Sequence, residues 1–371
     1  MLSLSSLPLS ASMEMTKMAN QKKANGEKVI SLSIGDNHFD IPSVLNNLFG
    51  ENLSSNKCHY TDGQGVKELR ESIADNCFHN LYTENETIIT PGVKQGMFYL
   101  LAAIERKRIA VIEPTWLGYS SLCTLTDKTY IPIDSNKKNW IEELNSMEFE
   151  ALILCSPNNP NGNIYTDEEF REIKKICDAK DSIIIVDEIY KAFIFEGTHD
   201  IIQTWYGSEN VFVFNGFSKS HAVTGLRIGY CLMKDQRVLR NMVKLQQNIA
   251  TCPNSLAQYS LIDSHKVSTK EMFDYYKRNR DIVSEMIPSF SQFKPKGGFY
   301  YFISLEKIGI YSSSEKFCME LFDKYNVATV PGKSYGTNHD SWFRLSYCID
   351  RDDLKIGLKL IRKFIKNYEK D

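Results

Sequence analysis

One lysine stands where its amine could act as a nucleophile. Lys219 lies in Gly216-Phe217-Ser218-Lys219-Ser220, directly after the apolar run 211–215. A lysine that follows a buried strand loses its proton more easily than one in water, and a neutral amine can form an imine with an aldehyde. The alternative is a solvated surface charge, which is the commoner role of a single lysine.

A carboxylate ends a second apolar run. Residues 182–186 are almost wholly apolar, and Asp187 closes the run before Glu188-Ile189-Tyr190. Burial raises the cost of a charge, so an ionised Asp187 implies a cationic neighbour such as a protonated ring nitrogen. The alternative is an aspartate that caps the next helix, a common role for this residue type.

Three segments could bind anions. The turn Gly92-Val93-Lys94 follows one run and precedes a helical pattern at 97–104, so backbone N–H groups at a helix start could hold a phosphate, although a Pro-Gly sequence before a helix is more often only a turn. Arg227 lies between two glycines and could bind phosphate through paired hydrogen bonds. Arg344 interrupts the apolar run 342–347, where it either faces inward and demands an anion or simply faces water.

An aromatic ring and an amide complete the candidate set. Trp116 follows the run 109–113, where its ring could stack on a planar ligand or merely fill a gap beside the sheet. Asn159 lies in Ser156-Pro157-Asn158-Asn159-Pro160-Asn161-Gly162, an ordered loop whose amides could donate to a ligand oxygen or be solvated.

The elements that must position these residues read as strands alternating with helices. Short buried runs at 87–90, 109–113, 151–155, 182–187 and 211–215 are separated by helical patterns, one of which begins at Thr166 with Glu169 as its capping-box partner. This rhythm predicts a parallel sheet covered by helices. Ligands bind beyond the carboxyl ends of such strands, which is where the candidates lie. After residue 296 a strand at 299–303 and helices near 315–325 and 353–368 predict a separate α+β unit.

Composition excludes several classes of function. The 371 residues suffice for two packed domains, and a formal charge of −2 gives no field that would attract nucleic acid. Nine cysteines without CxxC spacing and seven histidines without ligand spacing favour a reducing cytoplasm and no metal site. No apolar run is long enough to span a membrane, and residues 1–20 read as an arm that leads into the first helix.

Taken in order, these segments resemble the class I/II aminotransferases, which are fold-type-I enzymes dependent on pyridoxal 5'-phosphate (PLP), from about residue 10 to the end. The resemblance implies an α/β fold whose large domain holds a mostly parallel seven-stranded sheet sandwiched by helices, plus a smaller α+β domain. It places an N-terminal arm and part of the small domain at 1–45, the large domain at 46–265 and the small domain at 266–371.

The resemblance also implies a role for each candidate. Lys219 would be the Schiff-base lysine, Asp187 the partner of the pyridinium nitrogen, and Tyr190 with Asn159 the donors to the ring's phenolic oxygen. The remaining matches are Trp116 stacked on the ring, Gly92, Val93, Lys94, Ser218 and Arg227 around the phosphate, Arg344 on the substrate α-carboxylate, and Gly35 over the substrate. Tyr60, in Tyr60-Thr61-Asp62-Gly63, resembles a tyrosine that reaches the phosphate of a neighbouring subunit, which implies a homodimer.

Three positions depart from the family pattern. Gly216 stands where a phosphate-binding hydroxyl is frequent, so Ser218 or Ser220 would have to replace it. Asn161 follows Pro160 where many relatives have Thr. Asp36-Asn37-His38 replaces Glu-Pro-Asp beside the substrate, which weakens any transfer of substrate identity.

The expected activity is transfer of an amino group from an L-amino acid to a 2-oxo acid by a ping-pong mechanism, with Lys219 as anchor and proton shuttle. A PLP-dependent β-lyase, cyclising synthase or oxidase would use the same cofactor residues, because the protein steers a shared cofactor chemistry. A non-catalytic binding module is a third alternative, against which the intact Lys219, Asp187, Arg227 and Arg344 argue.

Overall fold

A seven-stranded sheet forms the centre of the computed structural model, which describes residue 7 and residues 11–78, 80–199 and 203–368. Five of its seven strands are the short apolar runs that the sequence pattern predicts. In chain order its strands are β2 (Thr87–Thr90), β3 (Arg108–Glu113), β4 (Thr129–Asp134), β5 (Ala151–Cys155), β6 (Ile183–Asp187), β7 (Val211–Gly216) and β8 (Gly229–Leu232).

The spatial order of the sheet is β2-β8-β7-β6-β5-β3-β4, and every neighbouring pair is parallel except the two that involve β8. The predicted fold class, a mostly parallel sheet of seven strands, is therefore confirmed. In-register pairing sets Cys155 opposite Asp187, and Asp187 opposite Phe214. The carboxyl ends of these strands meet at one edge, where the candidate residues follow them.

Helices cover both faces of the sheet, and two apolar clusters fill the space between helices and strands. Thr166 caps α7 with the reciprocal Glu169 contact, which confirms the predicted capping box. In chain order the helices of this part are α2 (Ser43–Ser54), α3 (Lys67–Cys77), α4 (Val93–Ala103), α5 (Gly118–Leu125), α6 (Trp140–Ser146), α7 (Asp167–Ala179), α8 (Phe217–Ser220), α9 (Gln236–Ile249) and α10 (Ser255–Ser260).

A second unit combines the two ends of the chain around its own apolar cluster. Its three-stranded antiparallel sheet has the order β11 (Val330–Pro331), β12 (Trp342–Ser346) and β9 (Tyr300–Ser304), and a short parallel pair joins β1 (Ile30–Ser31) to β10 (Val327–Ala328). The elements are α1 (Ala11–Ala24), β1 (Ile30–Ser31), α11 (Lys270–Met286), β9 (Tyr300–Ser304), α12 (Ser314–Tyr325), β10 (Val327–Ala328), β11 (Val330–Pro331), β12 (Trp342–Ser346) and α13 (Arg351–Tyr368). The predicted α+β unit is confirmed, while the boundaries 1–45, 46–265 and 266–371 remain predictions.

In the described part of the chain, no helix combines the length and apolarity that a membrane crossing requires. Within the same residues, His, Cys, Asp and Glu side chains form no group of three that could hold a metal ion.

Candidate active site

A cavity of about 510 Å³ opens where the carboxyl ends of the central strands face the second unit. Its volume lies in the range of small-molecule sites, about 300–1,000 Å³. Eleven of the residues singled out from the sequence line it: Gly35, Val93, Lys94, Trp116, Asn159, Asp187, Tyr190, Ser218, Lys219, Arg227 and Arg344. Gly92 lies directly behind Arg227, whereas Tyr60 lies away from the cavity with 85% of its surface exposed.

Lys219 projects into the cavity from the short helix α8, which follows β7 without a break. Its Nζ donates to the Gly35 carbonyl at 2.6 Å. Burial of the amine lowers the pKa of Lys219, since nearby Cys348 and Asp36 offset the desolvation only in part. The amine of Lys219 is therefore suited to act as a nucleophile and a base, and it is not a solvated surface charge.

Asp187 ends β6 with only 4% of its surface exposed. It caps no helix: Tyr119 donates to its Oδ2 at 2.7 Å and the backbone N–H of Ile189 donates to its Oδ1 at 3.1 Å. Desolvation raises the pKa of Asp187 to about 6 despite these donors. Among the described residues no cation pairs with Asp187, so this carboxylate is suited to a cationic ligand atom.

The anion end of the cavity is built from backbone and one guanidinium. Gly92 has φ +85° and precedes α4, and a Cβ there would stand 2.3 Å from an Nη of Arg227. Arg227 adopts a left-handed conformation with φ 56°, donates from Nη1 to the Thr224 carbonyl at 2.8 Å, and is exposed to the cavity. Glycine is needed at position 92 because only a residue without Cβ lets the guanidinium reach the helix start.

Close packing of two chain segments explains why position 216 is glycine and not a residue with a hydroxyl group. A Cβ at this position would stand 3.0 Å from the Gly229 Cα and 3.0 Å from the Ile228 carbonyl oxygen on the neighbouring strand. Of the two serines that could supply the missing hydroxyl, Ser218 lines the cavity, whereas the Ser220 hydroxyl lies 2.7 Å from Nδ1 of His221. Ser218 is thus the serine placed to contact a ligand.

Arg344 is a second guanidinium in the lining of the cavity. It lies within β12, whose last four residues are all buried, and its side chain is buried with them. Its Nη1 donates to Asn159 Oδ1 at 3.1 Å, and its Nη2 donates to Ser12 and to the Ser33 carbonyl. Its Nε has no hydrogen-bond partner in the described part of the chain. A buried guanidinium that meets only neutral groups is a binding site for an anion.

Two further candidate residues are aromatic. Trp116 is partly buried and packs edge-on against Tyr119, with ring centroids 5.2 Å apart, while Lys94 Nζ lies 5.3 Å from its ring centroid. The hydroxyl of Tyr190 lies 2.9 Å from that of Tyr300. Both Trp116 and Tyr190 line the cavity.

Sequence reasoning missed several residues that line the cavity: Ser12, Met13, Tyr119, Thr224, Tyr300 and Tyr335. Tyr119 carried a usable signal, because it lies three residues after Trp116 at helical spacing. Ser12 and Met13 belong to α1, which packs over the cavity instead of serving only as a lead into the fold. The others become neighbours only through the tertiary structure.

The donor set fits PLP. Asp187, a buried carboxylate with no cationic partner in the part of the chain that the structure describes, suits a protonated ring nitrogen, and a lysine with a lowered pKa suits an aldehyde. The helix start beside Arg227 suits a phosphate. Arg344 is left for a carboxylate from a second molecule.

Comparison with known proteins agrees with this chemistry. The family model described as aminotransferase class I and II matches residues 27–361. Aspartate aminotransferase of Thermotoga maritima is 27% identical over 98% of each chain, and the (5-formylfuran-3-yl)methyl phosphate transaminase of Methanocaldococcus jannaschii is 29% identical over 95% of this chain and 96% of its own. The solved structure of the Thermotoga maritima enzyme superposes with a TM-score of 0.90, covering 98% of this chain and 99% of that one.

Proposed function

The chain belongs to the class I and II aminotransferases, a PLP-dependent family, and we propose that it transfers an amino group from an L-amino acid to a 2-oxo acid with Lys219 as its reactive lysine. One observation carries the assignment of residues. Asp187, buried and without a cationic partner among the described residues, lines the same cavity as Lys219.

When bound, PLP supplies an aldehyde that condenses with amines and a ring that accepts electrons. Asp187 binds the ring nitrogen and favours its protonated form, because a buried carboxylate gains most from a neighbouring cation. Tyr119 and the Ile189 N–H hold the two carboxylate oxygens in place. Asn159 turns Oδ1 toward Arg344, so its Nδ2 is the atom that can donate to the phenolic oxygen.

Lys219 also moves the proton. Its lowered pKa keeps a larger fraction of the amine neutral, and a neutral Nζ can accept the proton from the substrate Cα. The resulting ammonium can then donate this proton to the carbon of the cofactor's former aldehyde group. The Gly35 carbonyl, which accepts from Nζ at 2.6 Å, restricts the direction in which the amine points.

Arg344 binds the α-carboxylate of both substrates in turn. An amino acid and a 2-oxo acid share this group, so one guanidinium serves both halves of a ping-pong cycle. Gly35 lines the same cavity and its carbonyl accepts from Lys219 Nζ, so it would lie close to the substrate Cα.

The proposal includes a homodimer in a reducing compartment such as the cytoplasm. The side chain of Tyr60 is 85% exposed, which leaves it free to contact a second copy of the chain, and in the proposed dimer it would reach the phosphate bound by that copy. All nine cysteines are free thiols, six of them buried, as expected where disulfides do not form.

Two experiments test the proposal. Reduction of the yellow protein with borohydride, digestion and mass spectrometry should locate the pyridoxyl group on Lys219. Lys219→Ala should abolish the label and the exposed control Lys138→Ala should keep it. A label on another lysine would overturn the assignment.

The reaction type is tested by mixing the enzyme with one amino acid and one 2-oxo acid. The new amino acid should form in equal amount to the new oxo acid. Release of ammonia or pyruvate without a matching amino acid product would instead indicate a lyase or an oxidase.

A further inference from the structure

The hydroxyl of Tyr300 lies at the junction of the groups assigned above. Tyr300 begins β9 with 3% of its surface exposed, and its hydroxyl stands 2.9 Å from that of Tyr190. A Cβ on Gly35 would come within 1.5 Å of the same oxygen. Position 35 therefore has to be glycine for the hydroxyl of Tyr300 to occupy this place.

The ring of Tyr300 supports a different group. The guanidinium carbon of Arg344 lies 4.1 Å from the ring centroid, which is a close cation–π contact. Successive residues of a strand face opposite ways, and the hydroxyl of Tyr301 accordingly donates to the Arg280 carbonyl at 2.8 Å, away from the cavity.

The direction of the hydrogen bond between the two tyrosines follows from Tyr190. If Tyr190 uses its proton for the phenolic oxygen of the cofactor, Tyr300 must be the donor within the pair. A hydroxyl that accepts one hydrogen bond becomes a stronger donor in the next, most of all in a buried setting.

We propose that Tyr300 is a positioning residue of this transaminase: its hydroxyl donates to Tyr190 and strengthens the bond from Tyr190 to the cofactor, while its ring holds the Arg344 guanidinium for the substrate carboxylate. The proposal rests on the proposed function and adds to it. The two parts of the Tyr300 side chain have different roles: the hydroxyl acts on the cofactor, and the ring acts on substrate binding.

The first test uses the holoenzyme and the pH dependence of its cofactor absorbance. A weaker donor to the phenolic oxygen leaves more negative charge on that oxygen. This negative charge favours the protonated form of the neighbouring Lys219 nitrogen and so raises the pKa of that nitrogen. Tyr300→Phe should therefore raise the pKa read from the absorbance by about half a unit to one unit, the effect of one ordinary hydrogen bond. The matched control Tyr301→Phe removes a buried hydroxyl from the other face and should leave this pKa unchanged.

The second test separates the ring from the hydroxyl by steady-state kinetics. Tyr300→Phe keeps the ring, so KM for the amino acid should stay within about twofold of the original value. Tyr300→Leu removes the ring as well and should raise KM by roughly 3- to 10-fold. In a Tyr190→Phe background, Tyr300→Phe should no longer shift the absorbance pKa.

The experiments can refute the role of Tyr300 without refuting the transaminase assignment. If borohydride labels Lys219 but Tyr300→Phe leaves the absorbance pKa unchanged, the role of Tyr300 is refuted and the transaminase assignment stands. A shift of equal size in Tyr301→Phe, or one that persists without the Tyr190 hydroxyl, also refutes it. Should Tyr300→Phe fail to fold, Gly35→Ala displaces the same hydroxyl and must produce the same upward shift.

Discussion

Replacing Asp187 by Asn should stabilise the protein stripped of PLP while it destroys the enzyme. The pKa of Asp187 rises from 3.8 to about 6 in the folded chain, because burial penalises its charge. Below pH 3.8 the carboxyl is protonated in both the folded and the unfolded chain and costs nothing. Between pH 3.8 and 6 the unfolded chain ionises first, so stability falls, and above pH 6 the full cost remains.

A difference of about 2 pKa units corresponds to a cost of about 3 kcal/mol at pH 8. Asn removes this charge but cannot accept from both Tyr119 and the Ile189 N–H, and losing one such bond costs about 1 kcal/mol. The stripped variant should therefore be about 2 kcal/mol more stable than the original chain at pH 8, and slightly less stable near pH 4.

Urea unfolding of the stripped proteins at pH 4 and pH 8 measures both values. The exposed Asp323→Asn serves as a control that should change stability little at either pH. With PLP bound the order should reverse, and kcat should fall by about 100-fold or more, because the carboxylate then stabilises a buried positive charge. A stripped Asp187→Asn protein that is less stable than the original at pH 8, or a difference that does not vary with pH, would show that burial does not penalise this charge.

Three further changes test the rest of the site. Arg344→Lys should raise KM for both the amino acid and the oxo acid by about 10-fold or more, because an ammonium cannot reproduce two parallel bonds to a carboxylate. Initial rates measure this, and KM values equal to those of the original enzyme would contradict the assignment of Arg344. Gly92→Ala places a Cβ 2.3 Å from an Nη of Arg227 at a positive φ, so PLP affinity measured by fluorescence titration should fall at least 10-fold. Tyr60→Phe should weaken PLP binding by about 10-fold without changing the unfolding midpoint of the subunit, and mixed dimers with a Lys219→Ala subunit should show whether the lost contact crosses between subunits.

The sequence was enough to place the strands that are locally distinctive. Runs such as 151–155 are continuous, apolar and buried on both faces, so composition alone predicts them. The sequence pattern does not predict β4 and β8, for a different reason in each case. β4 lies at the sheet edge, is only partly buried and contains Pro132, whereas β8, Gly229–Leu232, begins with glycine and contains no β-branched residue.

The sequence by itself determined which side chains could do chemistry, because most of them follow the end of a strand whose pattern is local, and Arg344 interrupts such a pattern. Only the tertiary structure decided which of them share a cavity and what surrounds them. Tyr119 reaches Asp187 across 68 positions of sequence, Tyr300 reaches Tyr190 across 110, and Ser12 reaches Arg344 across 332. Contacts between such distant positions leave no periodic trace in the chain, since they arise from the order in which strands assemble and from the packing of two units against each other.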